Sequence, residues 1–264
     1  MHVARKRFGQ HFLHDPNVIQ RIVAAIGPAP DDPMVEIGPG LGAITAPLLA
    51  RLNALDAVEI DRDAIAHLKA TLGTVQPGRG ELRLHEADVL EFDFRQLRGE
   101  HRLRLVGNLP YNISTPLLFR LIEQRDCIQD MHFMLQKEVV DRMAATEGED
   151  AYGRLSVMLA PWLQVEPLFD IGPGAFRPPP KVVSTVVRLR PYESPPFEVS
   201  EPKRFGAVVA AAFSQRRKTL RNALRSLLSA EQILAAGIDP GARAEVISPA
   251  QFADLARIAP TVTP

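Results

Sequence analysis

Between residues 34 and 136, short apolar runs alternate with stretches whose apolar positions recur every three or four residues. The runs "MVEIG" (34–38), "ALDAVEID" (54–61), "ELRLHEAD" (81–88), "LRLVGN" (103–108) and "MHFMLQ" (131–136) read as strands. The intervening "LGAITAPLLARL", "RDAIAHLKATL" and "STPLLFRLIEQ" carry helical spacing. Strand then helix, repeated, predicts a parallel sheet covered on both faces. Asp15 before Pro16, Thr115 before Pro116 and Ser248 before Pro249 each set a capping acceptor ahead of a proline, the signature of a helix start. After Tyr152 the alternation stops. "VEPLFDI" (165–171) and "VVSTVVRLR" (182–190), joined by "GPGAFRPPPK", predict an antiparallel hairpin that closes the sheet. The proline-rich, acidic "PYESPPFEVSEP" (191–202) is the expected linker. Beyond it, "FGAVVAAAF", "TLRNALRSLL", "AEQILAAG" and "PAQFADLARIA" are all helical in pattern. The expected organisation is an α/β domain over 1–190, a linker over 191–202 and a small all-helical C-terminal domain over 203–264.

Composition narrows the class. Of 264 residues, 46% are hydrophobic and 23% charged, enough to bury a real core. One cysteine, Cys127, allows no internal disulfide, and no apolar segment follows "MHVARKRF", so a cytoplasmic protein without a secretory signal is expected. No run approaches the ~18 apolar residues of a membrane span. His11 and His14 lack acidic or cysteine partners at ligand spacing, so no metal is expected. Net charge is zero, but its distribution is uneven: residues 172–225 hold 11 basic and 3 acidic side chains, against 18 and 24 before them. A solvated helix face normally mixes both signs, whereas "QRRKTLRNALR" contains no acid; the block reads as a face for a polyanion.

The candidate chemistry gathers where the strands end. "EIGPGLGAI" places Gly38, Gly40 and Gly42 after a strand and before a helix, and Gly38, Gly40 and Ala43 also satisfy a dinucleotide fingerprint. Pro39 has no N–H, which leaves a diphosphate one donor short, so a ligand without phosphates is preferred. Glu59, about 20 residues on, ends the second strand where a carboxylate accepts from ribose hydroxyls. Asp61 competes for that role, and Asp88 at the third strand end suits an adenine amino group. Each acid alone could equally be a strand-end or cap residue. The fourth strand delivers Asn108, Leu109, Pro110 and Tyr111 to the same edge. An exocyclic amine on a base is a poor nucleophile because its lone pair is spread into the ring. The Asn108 amide oxygen and the Leu109 carbonyl would hold its two hydrogens and favour a pyramidal nitrogen. Pro110 would fix the carbonyl's direction, and Tyr111 would offer a stacking face. A plain turn with a buried Tyr explains the proline and the aromatic but leaves the amide arbitrary.

These residues resemble the S-adenosylmethionine-dependent ribosomal RNA adenine N6-dimethyltransferases, specifically the bacterial branch acting on two adjacent adenosines near the 3′ end of 16S RNA. The resemblance covers nearly the whole chain. It is carried by "KRFGQHFLHD" (6–15), "EIGPGLGAIT" (36–45), "VEID" (58–61), "EADVLEFD" (86–93), "NLPYNISTPLL" (108–118), "FRPPPKVVS" (176–184), "FSQRRKTLRNAL" (213–224) and "RAEVIS" (243–248).

The resemblance implies a Rossmann-like methyltransferase sheet. It implies that S-adenosyl-L-methionine is held by Gln10, His11, Leu13, Gly38, Gly40, Glu59, Asp88 and Asn108. It places Asn108, Leu109, Pro110 and Tyr111 on the target amine, with Phe176 near the target base unless that ring is a buried anchor of its loop. His11 stands where many relatives carry Asn. RNA within the small ribosomal subunit or its precursor would be gripped by Arg216, Arg217, Lys218 and Arg221, with Arg5, Lys6 and Arg7 as an extension. A monomer without a membrane partner is expected. Three rivals stand beside this reading: a large-subunit adenine methylase, a ribosome-assembly factor in which catalysis is secondary, and a nicotinamide-dependent oxidoreductase resting on the glycine pattern alone.

Overall fold

The computed structural model describes residues 11–74, 77–110, 112–215 and 217–260. The chain forms two compact units. One comprises the described residues up to Val140 together with Val165–Pro191; the other comprises Asp141–Gln164 and the chain from Tyr192 on. The single boundary expected at residue 190 is therefore corrected: 141–164 packs with the helical part.

In the first unit the strands are β1 (Phe12–Leu13), β2 (Met34–Ile37), β3 (Ala54–Glu59), β4 (Glu81–Glu86), β5 (Leu103–Asn108), β6 (Ile128–Gln136), β7 (Leu163–Ile171), β8 (Phe176–Arg177) and β9 (Ser184–Pro191), the first two residues of β7 belonging to the second unit. Seven of them form one sheet in the order β4-β3-β2-β5-β6-β9-β7. β2 pairs in parallel with β3 and β5, β3 with β4, and β5 with β6. β9 runs antiparallel to β6. Side chains lock β9 to β7: Thr185 donates to Asp170 at 2.7 Å and Arg188 Nε donates to Glu166 at 2.9 Å. β2 is buried along its whole length and β5 over all but its last residue, as a sheet covered on both faces requires.

The helices here are α1 (Pro16–Ile26), α2 (Thr45–Leu49), α3 (Arg62–Leu72), α4 (Ser114–Glu123) and the first half of α5 (Lys137–Ala144). Asp15 caps α1 as expected, accepting from the N–H of Asn17 and Val18, and Gly27 ends it in the left-handed region. Thr115 does not cap α4; the helix already begins at Ser114, with Ile113 at the cap position and no side-chain bond. Buried Arg104 fastens the opposite edge of the sheet from the strand carboxyl ends. It bonds both oxygens of Asp130 at 3.0 Å, Asp32 at 2.6 Å and the Ile26 carbonyl at 2.7 Å, so a buried cation is fully paired and α1's last carbonyls are satisfied.

The second unit holds α6 (Arg154–Leu159), α7 (Pro202–Phe213), α8 (Leu220–Ala223), α9 (Ala230–Ala235) and α10 (Pro249–Ile258). Its core gathers Phe205, Leu220, Leu224, Ile233 and Phe252, with Phe197 and Val199 of the expected linker packed against it. Tyr152 is buried there and donates to the Ile247 carbonyl at 2.7 Å. Ser248 and Gln251 form a reciprocal capping box on α10. No helix among the described residues is long and apolar enough to cross a membrane.

Candidate active site

Past β2 the chain turns through Gly38, Gly40 and Gly42 with φ of +65°, +55° and +85°. The need for glycine is steric as well as conformational. A Cβ on Gly42 would come within 3.0 Å of Leu68 Cδ2 and 3.1 Å of Leu72 Cδ1, both on α3. The Gly40 N–H donates to Glu59 Oε2 at 3.2 Å. Pro39 lacks an N–H and the Gly40 N–H is already on a carboxylate, so the loop offers few donors to a phosphate.

Glu59 closes β3. Its Oε1 accepts from the N–H groups of Ile60 and Asp61, both at 2.9 Å, so three backbone donors orient the carboxylate. Asp61, its competitor, is turned to local duty: Oδ1 accepts from Asp63 N at 3.0 Å and caps α3. Asp88 lies just beyond β4, exposed, with Oδ1 accepting from Leu90 N at 2.9 Å. Between the two acids the wall is apolar, and Ile60, 52% exposed, belongs to it. Periodicity gave no reason to single out Ile60, although a large apolar residue inside "VEID" was the available signal.

Glu36 was also passed over. Buried in β2 beside the cavity, it has one oxygen, Oε2, without a hydrogen-bond partner among the described residues. Burial pushes its carboxyl up to about 7, against the nearby Thr45 hydroxyl, which pulls it down, and with the Glu59 charge, which adds.

Asn108 is the last residue of β5. Its Nδ2 donates to the His11 carbonyl at 3.2 Å, which leaves Oδ1 as the end turned to other partners. Leu109 N donates to the Met134 carbonyl at 3.3 Å, and the Leu109 carbonyl accepts from no other described residue. Pro110 accepts from Ile113 N at 3.2 Å, holding the turn into α4. His11 is held in turn by a strap that the sequence did not disclose. β1 pairs antiparallel with β8, Phe12 opposite Arg177 and Leu13 opposite Phe176, and His11 Nδ1 bonds the Pro178 carbonyl at 2.8 Å.

All these pieces line one cavity of about 800 Å³. It brings together His11, Leu13, Gly38, Gly40 and Glu59 with Asp88, Asn108, Leu109, Pro110 and Phe176. Phe176 is 2% exposed and packs in the core with Leu13 and Ile171, so it anchors the strap as well as lining the cavity. Gln10, Tyr111 and Arg216 lie outside the described residues, as do Arg5, Lys6 and Arg7. In the second unit Arg217, Lys218 and Arg221 are exposed, because Leu220 and Leu224 beside them are fully buried and turn the basic side chains outward. That segment is tied down by Leu220 N to the Ala242 carbonyl at 2.8 Å and Arg221 N to the Pro240 carbonyl at 3.0 Å.

A mostly parallel sheet with an antiparallel strand inserted before its last member, a glycine turn that disfavours phosphate, and acids at successive strand ends define a Rossmann-like methyltransferase. The comparisons narrow this class. The model of the ribosomal RNA adenine dimethylase family matches residues 1–260, and the chain belongs to that family. It is 59% identical over 256 residues to the Ribosomal RNA small subunit methyltransferase A of Methylococcus capsulatus, covering 97% of this chain and 98% of the relative. It is 53% identical to the protein of that name in Pseudomonas aeruginosa, covering 97% and 94%. Among solved structures, a dimethyladenosine transferase from Plasmodium falciparum superposes with a TM-score of 0.78 at 25% identity, covering 93% of this chain and 96% of that one. The 23S rRNA methyltransferase ErmE gives 0.70 at 25% identity, covering 93% and 98%.

Proposed function

We propose that this protein dimethylates the N6 amino groups of two adjacent adenosines near the 3′ end of small-subunit ribosomal RNA, in the cytoplasm, using S-adenosyl-L-methionine. The observation that carries the reading is Asn108: its amide nitrogen is occupied by the His11 carbonyl, so its oxygen and the Leu109 carbonyl are two acceptors in one cavity with Glu59 and Asp88. The identity of 59% to a small-subunit enzyme, against 25% to a 23S enzyme, favours the small subunit over the large.

The residues present fit the cofactor. Glu59, oriented by three N–H groups, accepts from the ribose diol. Asp88 accepts from the adenine amine, Ile60 packs on the adenine ring, and the glycine turn with His11 and Leu13 surrounds the amino-acid end. Bound S-adenosylmethionine supplies an electrophilic methyl on a sulfonium. Asn108 and Leu109 hold the two hydrogens of the target amine and concentrate its lone pair on nitrogen. Tyr111 and Phe176 flank the base. Asn108, Leu109 and Pro110 offer no titratable base, and none is required, since the methylated nitrogen is acidic and loses its proton to water. Positioning alone is worth ~7–11 kcal/mol for a well-oriented bimolecular step. The target adenosines must leave their stack to enter. Arg216, Arg217, Lys218 and Arg221 bind the RNA backbone.

Incubation with methyl-labelled cofactor and unmethylated small subunits, followed by mapping of the label, tests the proposal. Two dimethylated neighbouring adenosines in small-subunit RNA are expected; label confined to large-subunit RNA would overturn it.

A further inference from the structure

The cavity that must receive a segment of polyanion is itself acidic. Glu36, Glu59, Asp61 and Asp88 all line it, and among the described residues Arg177 is the one Lys or Arg that does. Arg177 sits on β8, where strand alternation buries Phe176 and exposes its neighbour. Its guanidinium has no ion-pair or hydrogen-bond partner among the described residues. This contrasts with Arg104, Arg95 and Arg188 of the same unit, each bound to carboxylates.

A chain of contacts ties the strap that carries Arg177 to the target-amine acceptors. The carbonyl of Pro178, the next residue, accepts from His11 Nδ1 at 2.8 Å, and the His11 carbonyl in turn accepts from the Asn108 amide at 3.2 Å. Arg177 therefore lies on the strap that positions the target-amine acceptors.

We propose that Arg177 binds the phosphodiester adjoining the target adenosine, so that the nucleotide is gripped by its backbone while Asn108 and Leu109 hold its base. The inference rests on the reading of an RNA adenosine as substrate. Its physical reason is that a phosphate brought to the mouth of an acid-lined cavity is repelled. A planar, permanently charged fork at the rim offsets that repulsion and can bond two phosphate oxygens at once.

The test compares wild type with Arg177→Ala and Arg177→Lys. Three quantities are measured: binding of unmethylated small subunits over a series of KCl concentrations at fixed Mg²⁺, steady-state methyl transfer, and S-adenosylhomocysteine affinity by calorimetry. For Arg177→Ala, KM for small subunits should rise about 10- to 100-fold, the range of a hydrogen bond to a charged group. The slope of log affinity against log salt should flatten by about 0.7–0.9, one phosphate's share, with S-adenosylhomocysteine affinity unchanged. Arg177→Lys should restore the slope and only part of the affinity. An unchanged slope overturns the proposal, and so does weakened S-adenosylhomocysteine binding at unchanged slope, which would assign the guanidinium to the cofactor's carboxylate. If wild type transfers no methyl to small subunits, the substrate reading fails and this inference with it, a result distinct from an active wild type and an indifferent Arg177→Ala.

Discussion

Asn108 has one hydrogen bond that decides its chemistry. With Nδ2 on the His11 carbonyl, rotating the amide would place an N–H donor against the target's own N–H. Replacing Asn108 by Ala should lower single-turnover methyl transfer by about 10²–10³, the usual cost of removing one preorganised polar group from a reacting centre. Calorimetric affinity for S-adenosylhomocysteine should stay close to wild type. Loss of affinity with an unaltered chemical step would contradict the role. Glu36 makes a different prediction. Its folded pKa of about 7 lies above the ordinary 4.5, so the group favours folding while protonated. That contribution is fully present below about 4.5 and is lost as pH rises to about 7. Glu36→Gln should remove the dependence, its advantage over wild type growing across that window to roughly 3 kcal/mol. Thermal melts of both proteins from pH 5 to 8 would show the curves diverging; parallel curves would rule it out.

At the scale of elements, the glycine turn and α3 are packed as one piece. Gly42→Ala meets both a φ of +85° and Leu68 Cδ2 at 3.0 Å, while Gly38→Ala meets nothing within 4 Å and pays only for its φ of +65°. Urea unfolding should therefore show a loss of roughly 1–3 kcal/mol for Gly38→Ala, the cost of a non-glycine residue in the left-handed region, and a larger one for Gly42→Ala. Equal losses would mean that the leucines yield freely. Elements also mark where local pattern runs out. "RDAIAHLKATL" forms α3 over its whole length, but only Leu220–Ala223 of "TLRNALRSLL" is α-helix, with its first N–H groups bonded to the Ala242 and Pro240 carbonyls. The segments 137–144 and 154–159 are helical without having been expected. Both are short, and their stability comes from packing rather than propensity.

For the molecule as a whole, charge is divided between an acidic cavity in one unit and an acid-free basic segment in the other. Changing Arg217, Lys218 and Arg221 together to Ala should weaken small-subunit binding and flatten its salt slope by about two units. Binding of S-adenosylhomocysteine should not change. An unaltered slope would remove this segment from the RNA contact.

By itself the sequence determined the alternation of strand and helix, the caps at Asp15 and Ser248, and the delivery of Gly38, Glu59, Asp88 and Asn108 to one edge. Those features depend on spacing within a few residues, and in a parallel sheet every strand ends on the same side. Tertiary structure alone decided that Glu59 faces the cavity while Asp61 caps a helix, that 141–164 packs with the helical unit, and that β1 meets β8. It also set the Asn108 amide, through a carbonyl 97 residues away, and latched His11 to Pro178 across 167 residues. Hydrophobic periodicity records which side of an element is buried, not which distant backbone group will meet it, so pairings of that kind leave no trace in local pattern.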